Sequence, residues 1–234
     1  EAQICECCAG LHDAGASGNR SCGWHVHVDA RDLTPREIVM LAKLYTRIEP
    51  RLYGIVARSR RSNSFAEPWG TRLINGSVND PEAAITDREN QLGANIYGSR
   101  EEYDYVKQSR PKHSARYHGL NLNSLILYGT VEFRLHQGTI NPYKIIRWAA
   151  VCCAIVDCVH THTEADFDAL RGTPAEVLDK VLGSRVLSQY GKRRAAFFAD
   201  AERQRQGLPP RARRSAAAPV EATPEPEPEI PVES

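Results

Sequence analysis

The sequence predicts an α+β fold: an antiparallel β-sheet whose one face packs against helices and whose other face is polar and fit for catalysis. Two segments predict the sheet. In Cys22-Gly-Trp-His-Val-His-Val-Asp29, strand alternation puts His25, His27 and Asp29 on one side and Trp24, Val26 and Val28 on the other. In Gly129-Thr-Val-Glu-Phe-Arg-Leu-His136 it puts Glu132, Arg134 and His136 together, opposite Val131, Phe133 and Leu135. The helices are predicted by a third observation. Thr34, Pro35 and Glu37 form a helix start ahead of an apolar stripe at Ile38, Leu41, Leu44, Tyr45, Ile48 and Leu52.

The elements follow in order. Residues 1–16 read as the end of a helix, with Ile4, Cys8 and Leu11 at helical spacing and Gly15 near its stop. A strand spans 22–30, and the capped helix runs from Thr34 into the basic segment 58–61. Residues 62–115 are polar and broken by Asn, Gly, Pro and Ser, with short helices expected near 80–92 and 100–107. Residues 119–127 and 129–137 read as two strands around a turn at Tyr128-Gly129, with Asn121 and Asn123 on one side of the first. Asn141-Pro142 opens a helix over about 142–160, and two more are expected at about 173–183 and 185–205. The reading places a folded domain at 1–206 and a disordered Pro/Ala/Glu-rich tail at 207–234, which holds too few large apolar residues to offset the entropy of ordering. That tail is basic first and acidic last, and is either solvated or a docking segment for a partner.

Composition narrows the function classes. With 30 Lys+Arg against 29 Asp+Glu, the chain lacks the basic excess of a nucleic-acid binder. Its most apolar stretch, 145–159, holds Arg147 and Asp157 and is too short to span a bilayer, so no membrane span is expected. Seven cysteines, an odd number in a chain this long, favour reduced thiols and a cytoplasmic setting. No P-loop, dinucleotide fingerprint, nucleophile elbow or His-Glu-x-x-His motif occurs.

Imidazole with carboxylate suits a divalent ion, and arginine suits phosphate or carboxylate. A polar sheet face that combines them fits phosphoryl chemistry. Taken singly, each strand also reads as a solvent-facing strand or an ion-pair ladder. A different grouping, Cys5, Cys8, Cys22 and His25, has spacing compatible with a structural zinc site.

Three segments together resemble the amidoligase family, ATP-dependent carboxylate–amine ligases related to glutamine synthetase. They are Cys22-Gly-Trp-His-Val-His-Val-Asp29, Arg116-Tyr-His-Gly-Leu-Asn-Leu-Asn123, and Gly129-Thr-Val-Glu-Phe-Arg134 with Gly138-Thr139. A more distant likeness to glutamine synthetase runs in the same order through Gly23 to His27, Asn63-Ser64-Phe65, Glu132 to Arg134 and Asn141-Pro142-Tyr143. The resemblance covers roughly residues 4–160 and implies a glutamine synthetase-like fold.

It also implies roles. His25 and Glu132 would ligate magnesium or manganese, and His27 would lie by the ATP phosphates. Arg134 and Arg116 would hold and neutralise the transferring phosphoryl group or the substrate carboxylate. Arg61, Asn63 and Asn123 would approach nucleotide or substrate, with Phe65 standing where the family usually has Tyr. The implied partners are a small-molecule or peptide carboxylate and an amine, joined through an acyl phosphate. The family's acidic Gly-x-Glu-x-Glu strand does not precede Cys22. The expectation is therefore either the C-terminal part of an amidoligase-like domain, or a degenerate ligase fold that acts as a binding or structural protein.

Overall fold

The structure is a computed structural model that describes residues 1–19, 21–70 and 117–209. The chain divides into units Glu1–Ala199 and Asp200–Ser234. The described part of the second holds the end of the last helix and a turn closed by Arg203 Nε donating to the Pro209 carbonyl at 2.7 Å. The helices expected near 80–92 and 100–107, and most of the expected tail, lie outside the described residues.

Eight helices and three strands are described: α1 (Ala2–Asp13), β1 (Gly23–Asp29), α2 (Pro35–Gly54), α3 (Arg58–Arg61), β2 (Leu120–Asn121), α4 (Asn123–Tyr128), β3 (Thr130–Gln137), α5 (Pro142–Thr161), α6 (Glu164–Ala169), α7 (Pro174–Leu182) and α8 (Arg185–Arg205). The fold is α+β. The sheet is antiparallel throughout, in the order β1-β3-β2.

Helix α2 starts where its sequence says. The Thr34 side chain accepts from the Glu37 N–H, and the Glu37 carboxylate accepts from the Thr34 N–H at 2.7 Å. Its stripe of Ile38, Leu41, Leu44, Tyr45, Ile48 and Leu52 is almost wholly buried. Each such side chain contributes on the order of 1.5–3 kcal/mol of burial free energy. Helix α2 packs against α5 and α7, and the core continues onto Val131, Phe133 and Leu120 of the sheet. Helix α6 was not expected, although Thr163 and Asp166 form the same reciprocal cap at its start.

Two expectations about the strands change. Residues 119–127 do not form one strand. Only Leu120–Asn121 pairs with β3, because the Asn121 Oδ1 then accepts from the Asn123 N–H at 3.0 Å and turns the chain into α4. Gly129 ends that helix in the left-handed conformation, φ 69°. The second change concerns His136. Trp24 pairs with His136 but Val26 pairs with Phe133, so β3 passes Arg134 and Leu135 where β1 passes only His25. This bulge puts His136 opposite Trp24, on the core side, not beside Glu132 and Arg134. Its fully buried ring lies 5.2 Å from the Trp148 ring. Burial pushes its pKa down to about 4.

Candidate functional site

On the other side of the sheet, register brings His27, Glu132 and Asn121 into one row across all three strands. Side chains facing each other in such a row are close enough to bond. Glu132 is the hub. Its Oε1 accepts from Arg134 Nη1 at 2.7 Å and from His25 Nδ1 at 3.0 Å, with His27 Nε2 at 3.6 Å. Its Oε2 accepts from Asn121 Nδ2 at 2.6 Å and Ser124 Oγ at 3.4 Å. Burial alone would raise the Glu132 pKa. The bonds from His25 and Asn121, with the charge of Arg134, outweigh burial and hold the carboxyl down at about 2.

The neighbours are positioned by elements the sequence specifies. Arg134 is buried on β3, and its Nε donates to the Phe65 carbonyl at 3.3 Å. The Asn63 Oδ1 accepts from the Phe65 N–H at 2.7 Å, which turns this segment toward Arg134. Glu67 bridges to His118 beside β2, and Trp69 stacks on His118 at 3.6 Å between ring centres. The buried Glu49 carboxylate accepts from the Trp69 and Gly70 N–H groups and secures the end of this segment. His27 has its Nδ1 bonded to Thr130 Oγ1 at 2.9 Å and meets the exposed Tyr128 edge-on. His25 turns Nδ1 to Glu132, so its Nε2 faces away, toward Gly23.

Of the residues singled out in the sequence, the structure brings together His25, His27, Glu132 and Arg134. Asn123 opens α4 next to this cluster and is buried. Asn63 is joined to it through Phe65. Arg61 points elsewhere: its guanidinium donates to the Val56 and Gly54 carbonyls at the end of α2 and lies over the Phe198 ring. Arg116 lies outside the described residues.

Sequence reasoning passed over three contributors. Asn121 and Ser124 hold the second oxygen of Glu132. Arg60 is buried, and it donates from Nη2 to the Arg134 carbonyl at 2.7 Å and from Nε toward the Leu135 carbonyl at 3.4 Å. The Asn121 signal was its alternation with Asn123. Arg60 carried none, because nothing in a run of basic residues says which one faces inward.

The chain belongs to the amidoligase family. The deciding observation is a family model, described as "putative amidoligase enzyme", that matches residues 2–156. That span contains β1, β2, β3 and every residue of the Glu132 cluster. Comparisons with curated proteins and with solved structures found no match.

A divalent cation does not fit the described residues of this amidoligase. A carboxylate offers about four lone-pair positions, and the donors on Glu132 occupy them. A hard cation takes about six oxygen ligands. Among the described residues no three His, Cys, Asp or Glu side chains are grouped to hold a metal. The zinc grouping is not assembled either. Cys5 is exposed, Cys8 is buried, Cys22 Sγ bonds to Asn19 Oδ1, and His25 is engaged by Glu132. No described helix is long and apolar enough to cross a membrane.

Proposed function

We propose that this amidoligase is an ATP-dependent carboxylate–amine ligase with a glutamine synthetase-like fold, forming an amide through an acyl phosphate. Family membership supports a ligase-type activity on small-molecule substrates, with ATP and a divalent cation in general terms. The observation that carries the reading is the buried Glu132–Arg134 pair with His25 and His27 on one sheet face.

In the first step a substrate carboxylate oxygen attacks the terminal phosphorus of ATP, and ADP leaves. In the second an amine attacks the acyl carbon, phosphate leaves, and the amine gives up a proton. The first step concentrates negative charge on the transferring oxygens, which a fixed guanidinium stabilises without reorganising. Arg134 meets that requirement because Glu132 and the Phe65 carbonyl hold it rigidly. Arg116 is proposed as the second cation, and His27 and Asn123 as nucleotide contacts. Asn63 and Arg61 shape the 58–65 segment that hands the Phe65 carbonyl to Arg134. The acyl phosphate must be shielded from water. The bonds from Arg134 and His25 leave Glu132 to position those side chains rather than to ligate a cation.

A second reading has a specific observation in its favour: Glu132 is saturated with donors. A degenerate amidoligase fold would keep this face to bind an anion or nucleotide without turnover. The test uses the full chain with ATP, magnesium, a panel of amino acids and short peptides, and ammonia or alkylamines. Phosphate release that requires both a carboxylate and an amine is the expected result. ATP binding without turnover supports the second reading, and a chain that does neither overturns both.

A further inference from the structure

The segment after α3 holds a bare aromatic ring beside Arg134. Phe65 is 56% exposed, yet its backbone is fixed. Its N–H donates to Asn63 Oδ1 at 2.7 Å, and its carbonyl accepts from Arg134 Nε at 3.3 Å. The next residue, Ala66, is fully buried, and its carbonyl accepts from the Tyr53 hydroxyl at 2.6 Å. The Glu67 N–H then donates to the Tyr117 carbonyl at 2.8 Å, and the Glu67 carbonyl accepts from the Gly119 N–H at 3.0 Å. A single exposed ring is ordinary on a protein surface. Two neighbours set Phe65 apart.

The first is Tyr117, whose ring meets that of Phe65 edge-on at 5.3 Å between centres. The second is Arg134, whose guanidinium carbon lies 5.8 Å from the centre of the Tyr117 ring. Two nitrogens of that guanidinium are committed, Nε to the Phe65 carbonyl and Nη1 to Glu132. Nη2 has no hydrogen-bond partner among the described residues. It is also not sealed from water, since a tenth of the side chain stays exposed. An open cationic donor and an exposed aromatic surface therefore adjoin, joined through one backbone carbonyl.

We propose that Phe65 is a specificity subsite, and that the carboxylate this protein takes carries an aromatic ring a few bonds from its carboxyl group. The carboxylate accepts from Arg134 Nη2 while the ring packs on Phe65. An aromatic amino acid or an arylalkyl acid has that spacing of ring and charge. A short aliphatic acid would meet Arg134 equally well and leave Phe65 in water. The inference deepens the ligase reading, on which it rests for the identity of the carboxylate as a substrate. The subsite itself follows from Phe65, Tyr117 and Arg134.

The test compares 3-phenylpropanoate with propanoate, two acids that differ only by the ring, titrated into the full chain and followed by proton NMR. Wild type should bind the aryl acid about tenfold tighter or more, the worth of an added aromatic pair. Phe65→Ala, folded by circular dichroism, should bring the two acids to within about twofold. Phe65→Tyr keeps a ring and should keep the preference, as should Phe197→Ala, which removes an exposed ring from α8. Wild type that binds neither acid or both alike overturns the proposal, and so does a folded Phe65→Ala that retains the preference. AMP is the third ligand. If AMP binding depends on Phe65 and aryl-acid binding does not, the ring belongs to a nucleotide and the assignment fails. Hydroxamate formation from ATP, hydroxylamine and each acid is measured on the same samples. A ring preference set by Phe65, without turnover of any carboxylate, leaves the subsite standing and removes the ligase reading. Turnover of carboxylates that is indifferent to the ring and to Phe65 does the reverse.

Discussion

Replacing Glu132 with glutamine should cost stability as well as activity. The carboxylate accepts from donors on both oxygens, so the glutamine N–H2 must face either Asn121 Nδ2 or the Arg134 and His25 nitrogens. Either orientation sets donor against donor, and Arg134 loses its counter-charge while still buried. Breaking a buried pair in this way costs about 3–5 kcal/mol. The carboxyl itself gives a second route to the magnitude. Its pKa is lowered from 4.5 to about 2. That difference corresponds to roughly 3 kcal/mol of stability. Because the folded pKa is depressed, the contribution is fully present above pH 4.5 and is lost as pH falls toward 2; about 2 kcal/mol of it should be gone by pH 3. The assay is urea unfolding followed by tryptophan fluorescence at pH 7 and at pH 3. Glu132→Gln should be about 3–5 kcal/mol less stable at pH 7, and the gap should shrink markedly at pH 3. A variant within about 1 kcal/mol of wild type at pH 7, or a gap indifferent to pH, refutes the view that this carboxylate is a saturated, ionised hub.

Other outcomes follow from the same structure. His136 is buried neutral with its pKa lowered to about 4, so protonation favours the unfolded chain and stability should fall between pH 6.5 and 4; His136→Asn should flatten that part of the pH–stability curve by close to one proton. Gly129→Ala places a Cβ at positive φ and 2.5 Å from Arg31 Cγ, so a thermal-shift loss equivalent to about 1–2 kcal/mol is expected. Iodoacetamide at pH 8, read by mass spectrometry, should label the exposed Cys5, Cys7 and Cys153 in the native protein. It should spare the buried Cys152 and Cys158 until unfolding, since burial lifts the Cys158 pKa to about 11.

How far the sequence foretold this molecule differs from element to element. Alternation in β1 placed His25 and His27 on the polar side because a strand with one packed face keeps a strict period of two. The same logic held for Glu132 and Arg134 but failed at His136, since the bulge shifts register by one residue and leaves no mark in composition. The capped start of α2 was legible because Thr34 and Glu37 act locally. Asn121 was harder. An asparagine in an alternating stretch can pair as a strand or turn the chain through its own side chain, and here it does both. Family membership was carried by an ordered set of weak motifs, and the match over residues 2–156 agrees with it. The saturation of Glu132 was not legible, because hydrogen-bond donors from Asn121, Ser124, His25 and Arg134 converge only once three strands and α4 are in register.

In the proposed reaction this face activates a carboxylate as an acyl phosphate. Hydroxylamine tests it without knowledge of the natural amine, because it intercepts an acyl phosphate as a hydroxamate. The full chain, given ATP, magnesium, hydroxylamine and a panel of carboxylates, should form a hydroxamate from at least one of them. Formation should require ATP and should be lost in a folded Arg134→Lys variant, which keeps the charge but not the planar fork that Glu132 and the Phe65 carbonyl hold. Hydroxamate that forms without ATP, or ATP turnover in wild type with no hydroxamate from any carboxylate, would contradict it.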